Sequence, residues 1–393
     1  MLDTPCGNTY NEVIQRGDSM FAKPPLRTLF GVLPIYSVLI VTGIVAALII
    51  ASREERRLQL PKDTTIDLAL WAVPFGVIGA RLYYVAFAWD MFRDDLLSIL
   101  YVWEGGIAIY GAILGGLLAV FLFSRRRKLP FPRLTDIIVP GLALAQAIGR
   151  WGNYFNMEAY GAEVTDPALQ FFPMAVLIPG PAGDTWHMAT FFYESIWNLM
   201  VFAALMLTRR SMRRDGDATL WYLLLYGAGR LIVEGLRTDS LWAGSSVRIS
   251  QLLGVVMSLG VIAVFLARRL RRAEAPLPVI VLVAALLGGL WTALAGGGEE
   301  AFWGYRVSSV VLTALAAGCA ASVTADLRYA PRARVLAVLC ALPALLTPVV
   351  QRLLPGGMEA ATLRCIAFTL AIIPCAVSVY LPAHQPAQAA QKL

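Results

Sequence analysis

The chain has 393 residues, of which 58% are hydrophobic and 15% charged, with a mean hydropathy of +0.65 and a formal net charge of +7. A soluble globular domain carries about a quarter charged residues, so an ordinary soluble fold is excluded and a membrane protein is indicated. The positive balance does not point to nucleic acid, because the basic residues of membrane proteins collect in cytoplasmic loops.

Residues 1–28 are polar and lack the apolar core of a cleavable signal peptide, so the first apolar run reads as an uncleaved anchor. A bilayer core takes about 20 residues of helix. Seven runs of suitable length and character follow, at 29–50, 68–89, 104–123, 135–150, 190–208, 218–236 and 249–267. Four more lie at 279–295, 304–324, 335–354 and 362–381, the last two interrupted by Pro343, Pro348 and Pro374. Helices are expected throughout, since lipid offers no partner to an open strand edge.

Basic residues alternate along this order. They follow the first run (Arg53, Arg56, Arg57, Lys62), the third (Arg125, Arg126, Arg127, Lys128, Arg133), and the fifth (Arg209, Arg210, Arg213, Arg214). The pattern continues after the seventh (Arg268, Arg269, Arg271, Arg272) and the ninth (Arg328, Arg332, Arg334), whereas 151–189 holds no Lys or Arg. By the positive-inside rule every odd-numbered helix ends in the cytoplasm and the N-terminus faces outward. The expected fold class is an all-α polytopic membrane protein. A seven-helix core, 29–272, carries an extracytoplasmic arm at 151–189, and a linker at Glu274–Pro278 leads to a C-terminal extension (273–381) and a tail (382–393). The arm is rich in aromatic residues, which favours packing over disorder. Cys6, Cys319, Cys340, Cys365 and Cys375 show neither C-x-x-C nor metal-ligand spacing, so no disulfide or metal site is expected.

With that topology, Arg81, Arg150 and Arg230 fall near the outer ends of their helices, joined by Glu104, Tyr110, His187, Tyr193 and Glu194. Ionisable residues inside a membrane are costly and mark sites or pathways, and their gathering on one side favours an outward pocket over a through-pore. On the sixth run, Tyr226, Arg230, Glu234 and Arg237 recur at helical spacing and are expected on one face, either as a site or as a salt-bridge ladder. The string Gly149-Arg150-Trp151-Gly152-Asn153-Tyr154-Phe155-Asn156-Met157-Glu158-Ala159-Tyr160-Gly161 crowds a guanidinium, two amides and a carboxylate at the membrane surface. The Arg fork suits a phosphate, which suggests a phospholipid headgroup; the alternative is an arginine snorkelling to water. Gly111 and Gly115 form a G-x-x-x-G helix-packing pair. Tyr110 beside them reads equally as a buried hydrogen-bonding phenol or a catalytic one, and His187 as a base or a structural residue.

Gly149–Gly161 resembles the signature of the prolipoprotein diacylglyceryl transferase family. Gly79–Val85, Glu104–Gly116, His187–Glu194 and Tyr226–Arg237 agree with that family in order, although His187 lacks the proline that usually follows it. The resemblance covers residues 30–272. It implies transfer of the diacylglyceryl group of phosphatidylglycerol to the lipobox cysteine of a preprolipoprotein, in a bacterial plasma membrane, by a monomer without cofactor or metal. It also implies catalytic roles for Arg150, Arg230 and Tyr110. Substrate binding would fall to Arg81, Asn153, Glu158, Gly161, Tyr226, Glu234 and Arg237, with His187 as base or positioning group. Many members carry histidine where this chain has Tyr110, and a phenol with a pKa near 10 is a weak base, so the base stays open. A transporter and a non-catalytic lipid-binding protein are the rival readings.

Overall fold

The computed structural model of the chain describes residues 27–270 apart from 181–182, 211, 213, 239–241 and 244–246, together with positions 373 and 376. Seven long helices run through this region: α1 Ile35–Arg57, α2 Thr64–Phe87, α3 Ile109–Arg127, α4 Phe131–Asn156, α5 Thr190–Thr208, α6 Asp217–Leu236 and α7 Ile249–Leu270. Each overlaps its expected run. The N-terminal residues 1–26, the four runs between 279 and 381 (positions 373 and 376 aside) and the tail lie outside the described residues. Three two-stranded antiparallel hairpins complete the fold: β1 Thr28–Leu29 with β2 Leu33–Pro34, β3 Ala175–Ile178 with β4 Thr185–Met188, and β5 Trp242–Ala243 with β6 Val247–Arg248. The protein is an all-α membrane protein.

By length and composition α1, α2, α3 and α5 can each cross a membrane. Their outer faces are apolar, with Val41, Val73, Leu82, Leu114 and Met200 all exposed, as expected of helices solvated by lipid. Helices α4 and α6 are long enough, at 26 and 20 residues, but their apolar runs contain Asp136, Gln146 and Arg150, and Arg230 and Glu234. Two of the three helices that carry the candidate site, α4 and α6, thus hold charged residues within their apolar runs.

The described residues form two compact units, one within Met1–Val38, Gly149–Asn198 and Leu223–Leu393, the other within Leu39–Ile148 and Leu199–Tyr222. In the second unit, α2 and α3 meet through glycines. A Cβ on Gly111 would stand 2.2 Å from the Gly79 carbonyl oxygen, and one on Gly115 2.1 Å from that of Phe75, so the G-x-x-x-G pair is a close backbone contact. Carboxylates tie down the basic ends of the helices. Glu54, 1% exposed, binds Arg57 at 2.6 Å and also Arg209. Arg127 pairs with Asp67, and Arg133 with Asp215 at 3.0 Å. Asp136 accepts from the backbone N–H of Gly216 at 2.7 Å and of Thr219 at 2.9 Å.

Among the boundaries that differ from the expectation, two shape the candidate site. Helix α3 begins at Ile109 and not at 104, because Gly105 and Gly106 take φ of +95° and +69°, a region closed to a helix. Helix α4 runs on through Asn156, taking in the first six residues of the expected arm, and stops where Met157 enters the left-handed region at φ +55°. The remaining arm is the β3–β4 hairpin with an aromatic core in which Tyr154, Val176, Ile178 and Phe191 are buried and Trp151, Phe172 and Phe192 pack around them. Trp151 lies 5.7 Å from Phe191 and 6.0 Å from Phe192 between ring centroids, edge to face. A Cβ on Gly152 would meet the Tyr36 ring at 2.5 Å, so this signature glycine admits the start of α1 against α4.

Candidate functional site

Three helix segments that fall within the first unit supply the polar cluster. Arg150 and Asn153 sit one turn apart near the end of α4, Glu194 lies on the second turn of α5, and Tyr226, Arg230 and Glu234 follow at four-residue intervals along one face of α6. Glu194 is the centre. Arg150 Nη2 lies 2.5 Å from its Oε1, and Arg230 Nη1 lies 3.3 Å from both of its oxygens. Arg230 Nη2 also donates to Glu234 Oε2 at 2.6 Å. At the other end Arg150 Nη1 donates to Asn153 Oδ1 at 3.3 Å, and Asn153 Nδ2 donates to Glu158 Oε1 at 2.9 Å. Glu158, Asn153, Arg150, Glu194, Arg230 and Glu234 thus form one unbroken chain of hydrogen bonds and ion pairs.

The chain is graded in exposure. The side chains of Glu194 and Glu234 are 5% and 3% exposed, Arg230 14% and Arg150 24%. Two guanidiniums this close would repel strongly in a low-dielectric setting, and the shared carboxylate between them offsets that repulsion. Each guanidinium has five N–H donors, more than its carboxylate and amide partners occupy. The arrangement can therefore hold a further oxyanion against two fixed cations.

The loop after α4 is stitched to the surrounding elements. Gly161 N–H donates to Met188 O at 2.9 Å, and Ala162 N–H to Leu236 O at 3.1 Å. A Cβ on Gly161 would stand 2.7 Å from Leu236 O and 2.8 Å from both Met188 Cβ and Thr190 Cγ2. Gly161 is needed there because nothing larger fits. His187, on β4 and not at a helix start, has both ring nitrogens engaged, Nδ1 with Gly161 O and Nε2 with Thr185 Oγ1, each at 3.0 Å. Arg237 falls one residue beyond α6 and bridges to Gly161 through the backbone. Only Tyr226, Arg230 and Glu234 therefore share the helical face on which four residues were expected.

A family model described as prolipoprotein diacylglyceryl transferase matches residues 27–267, which contain every one of these side chains. The chain belongs to the prolipoprotein diacylglyceryl transferase family. Among its relatives, the phosphatidylglycerol–prolipoprotein diacylglyceryl transferase of Enterococcus faecalis is 42% identical over 247 residues, 61% of this chain and 88% of that protein. The protein of that name from Shouchella clausii is 40% identical over 237 residues, 60% of this chain and 86% of its own length. The one from Listeria innocua is 42% identical over 232 residues, 58% and 83% respectively. The chain thus carries nearly the full length of these transferases, and residues 268–393 lie beyond the family match.

Within this transferase family member, the two remaining predicted residues belong to the second unit. Arg81 is 7% exposed and was expected to meet a headgroup. Its three nitrogens instead donate to backbone carbonyls: Nε to Ile99 at 2.8 Å, Nη1 to Gly105 and Gly106 at 2.7 and 3.0 Å, and Nη2 to Ser98 at 2.6 Å. It also stacks over Phe92, 5.0 Å from the ring centroid. This arginine folds the 98–106 loop. Tyr110 opens α3, half-buried, with its ring 6.2 Å from that of Tyr83 and its hydroxyl bonded to no described residue. Glu194, at the centre of the cluster, is a residue that the sequence places near the site without giving it a task. Its signal was a carboxylate inside an otherwise apolar helix, next to Tyr193, whose hydroxyl donates to Met174 O.

Proposed function

We propose that this chain transfers the sn-1,2-diacylglyceryl group of phosphatidylglycerol to the lipobox cysteine of a preprolipoprotein, the first step of bacterial lipoprotein maturation. The cysteine sulfur forms a C–S bond to the terminal glyceryl carbon of the diacylglycerol. The C–O bond from that carbon to phosphate breaks, its electron pair leaves on oxygen, and glycerol-1-phosphate departs as the thiol proton is released. The thiol must approach its thiolate, against a pKa near 8.5, and the phosphate gains charge as it leaves.

The observation that carries this reading is the Arg150–Glu194–Arg230 triad, two cations fixed by one buried carboxylate. Preorganised donors of this kind stabilise charge that develops in the transition state. Arg150 and Arg230 are assigned to the phosphate, with Asn153, Glu158, Tyr226, Glu234 and Arg237 orienting them or the glycerol headgroup. Gly161 and Arg81 support the architecture, and His187 positions the arm. Tyr110 is assigned to the substrate as a positioning group or as the base. The alternation of basic loops supports an outward N-terminus and a site facing the outer leaflet, and the bacterial relatives support a bacterial plasma membrane.

The test is replacement in a living cell. A bacterium depleted of its own transferase should regain lipidated lipoprotein, seen as a mobility shift of the precursor, when this chain is expressed. Expression at the membrane without any shift would refute the assignment.

A further inference from the structure

We propose that the second unit holds a separate site for the headgroup of an anionic phospholipid, in a cavity between the start of α2 and the end of α3. The inference does not depend on the transfer reaction. Helix α3 ends in Arg125, Arg126 and Arg127, followed by Lys128, directly after an apolar run. Such a run sits where lipid headgroups lie. There a cavity of about 480 Å³ is lined by Asp67, Leu70, Trp71, Phe123, Arg126 and Arg127.

The lining has the chemistry of a lipid headgroup site. Its floor is Phe123, 2% exposed and packed with Leu68, Val120, Leu134 and Ile137. Arg127 pairs with Asp67 and rests 5.7 Å from the Phe123 ring centroid. The Arg126 guanidinium lies 5.9 Å over the Trp71 ring and has no carboxylate partner among the described residues. Two cations therefore face one carboxylate, and one positive charge is unopposed. Toward the membrane the rim is Leu70, 68% exposed, continued along α2 by Val73 and on α3 by Leu118 and Leu122, all exposed. A free phosphate would answer the charge and leave that apolar rim uncovered. A phospholipid answers both, its phosphate on Arg126 and its first methylenes along Leu70.

Quenching of tryptophan fluorescence by brominated lipid tests this on the full-length protein in phosphatidylcholine bilayers. Brominated phosphatidylserine is the probe, because it is anionic and distinct from the proposed substrate. Trp71→Phe isolates the contribution of Trp71. Wild type should show a saturable Trp71 component with phosphatidylserine and none with brominated phosphatidylcholine. Arg126→Gln should need about fivefold more phosphatidylserine to reach half-saturation, whereas Arg150→Gln should match wild type. Equal quenching by the two lipids, an unshifted midpoint in Arg126→Gln, or displacement by millimolar inorganic phosphate would overturn the proposal. Should Arg126→Gln fail to fold, the comparison of the two lipids on wild type decides alone.

Discussion

Arg150 and Glu194 meet at 2.5 Å, and the Glu194 oxygen that receives Arg150 also faces Arg230. One carboxylate on α5 thus sets the spacing of two arginines carried by α4 and α6. Its removal leaves two buried or half-buried cations without their shared counter-charge. Breaking such a pair from one side costs about 3–5 kcal/mol when both partners are buried, and less here because Arg150 is 24% exposed.

Glu194→Ala is accordingly expected to lower the thermal midpoint measurably, while Glu194→Gln, which keeps the shape, should fold. In Glu194→Gln the arginines lose their alignment, and misplacement by about 1 Å costs on the order of 10²-fold in rate. Steady-state kinetics should show that loss in kcat with a smaller change in KM, and Glu194→Asp should recover part of it. Unchanged kcat in folded Glu194→Gln would contradict the positioning role.

Arg150→Lys and Arg230→Lys separate charge from geometry. A lysine keeps the cation and loses the paired donors of the fork. Loss of one donor to a developing oxyanion costs about 10²–10³ in kcat, and initial rates on phosphatidylglycerol and a lipobox peptide should fall by that order. Near-normal rates in both variants would contradict the role of the paired donors.

Much of this was legible in the sequence. Helix positions followed from apolar runs and from the alternation of basic loops, because bilayer thickness and backbone satisfaction leave few alternatives. The arginines stood out because charge inside an apolar run is rare. Three assignments needed coordinates. Arg81 looks like a headgroup ligand until Ser98, Ile99, Gly105 and Gly106 are seen to occupy its nitrogens. The contact between Glu194 and Arg150 spans 44 residues of sequence, and no local pattern encodes it. The β3–β4 hairpin was hidden because 175–178 is a short apolar run in an aromatic-rich loop.

Gly161→Ala tests packing rather than chemistry. The new methyl would stand 2.7 Å from Leu236 O, a backbone atom that cannot rotate away. Overpacking of this kind costs about 1–3 kcal/mol. Thermal unfolding in detergent should show a lowered midpoint, and an unchanged midpoint would mean that the loop relaxes freely around Gly161.

His187→Ala asks whether the imidazole is a base. Both ring nitrogens are engaged within the arm, at 3.0 Å to Gly161 O and to Thr185 Oγ1. Loss of two hydrogen bonds should cost about 1–3 kcal/mol of stability. The rate of transfer against pH should keep its shape, only scaled. Disappearance of a limb of that profile would instead assign His187 as the base.

The most direct measurement is on purified protein in detergent with phosphatidylglycerol and a lipobox peptide, read by mass spectrometry beside Arg150→Ala and Arg230→Ala. The account predicts that the peptide cysteine gains a diacylglyceryl mass with wild type, with an equal amount of glycerol-1-phosphate released, and that both folded variants leave it unmodified. Unmodified peptide with folded, lipid-bound wild type, or full modification by either variant, would contradict it.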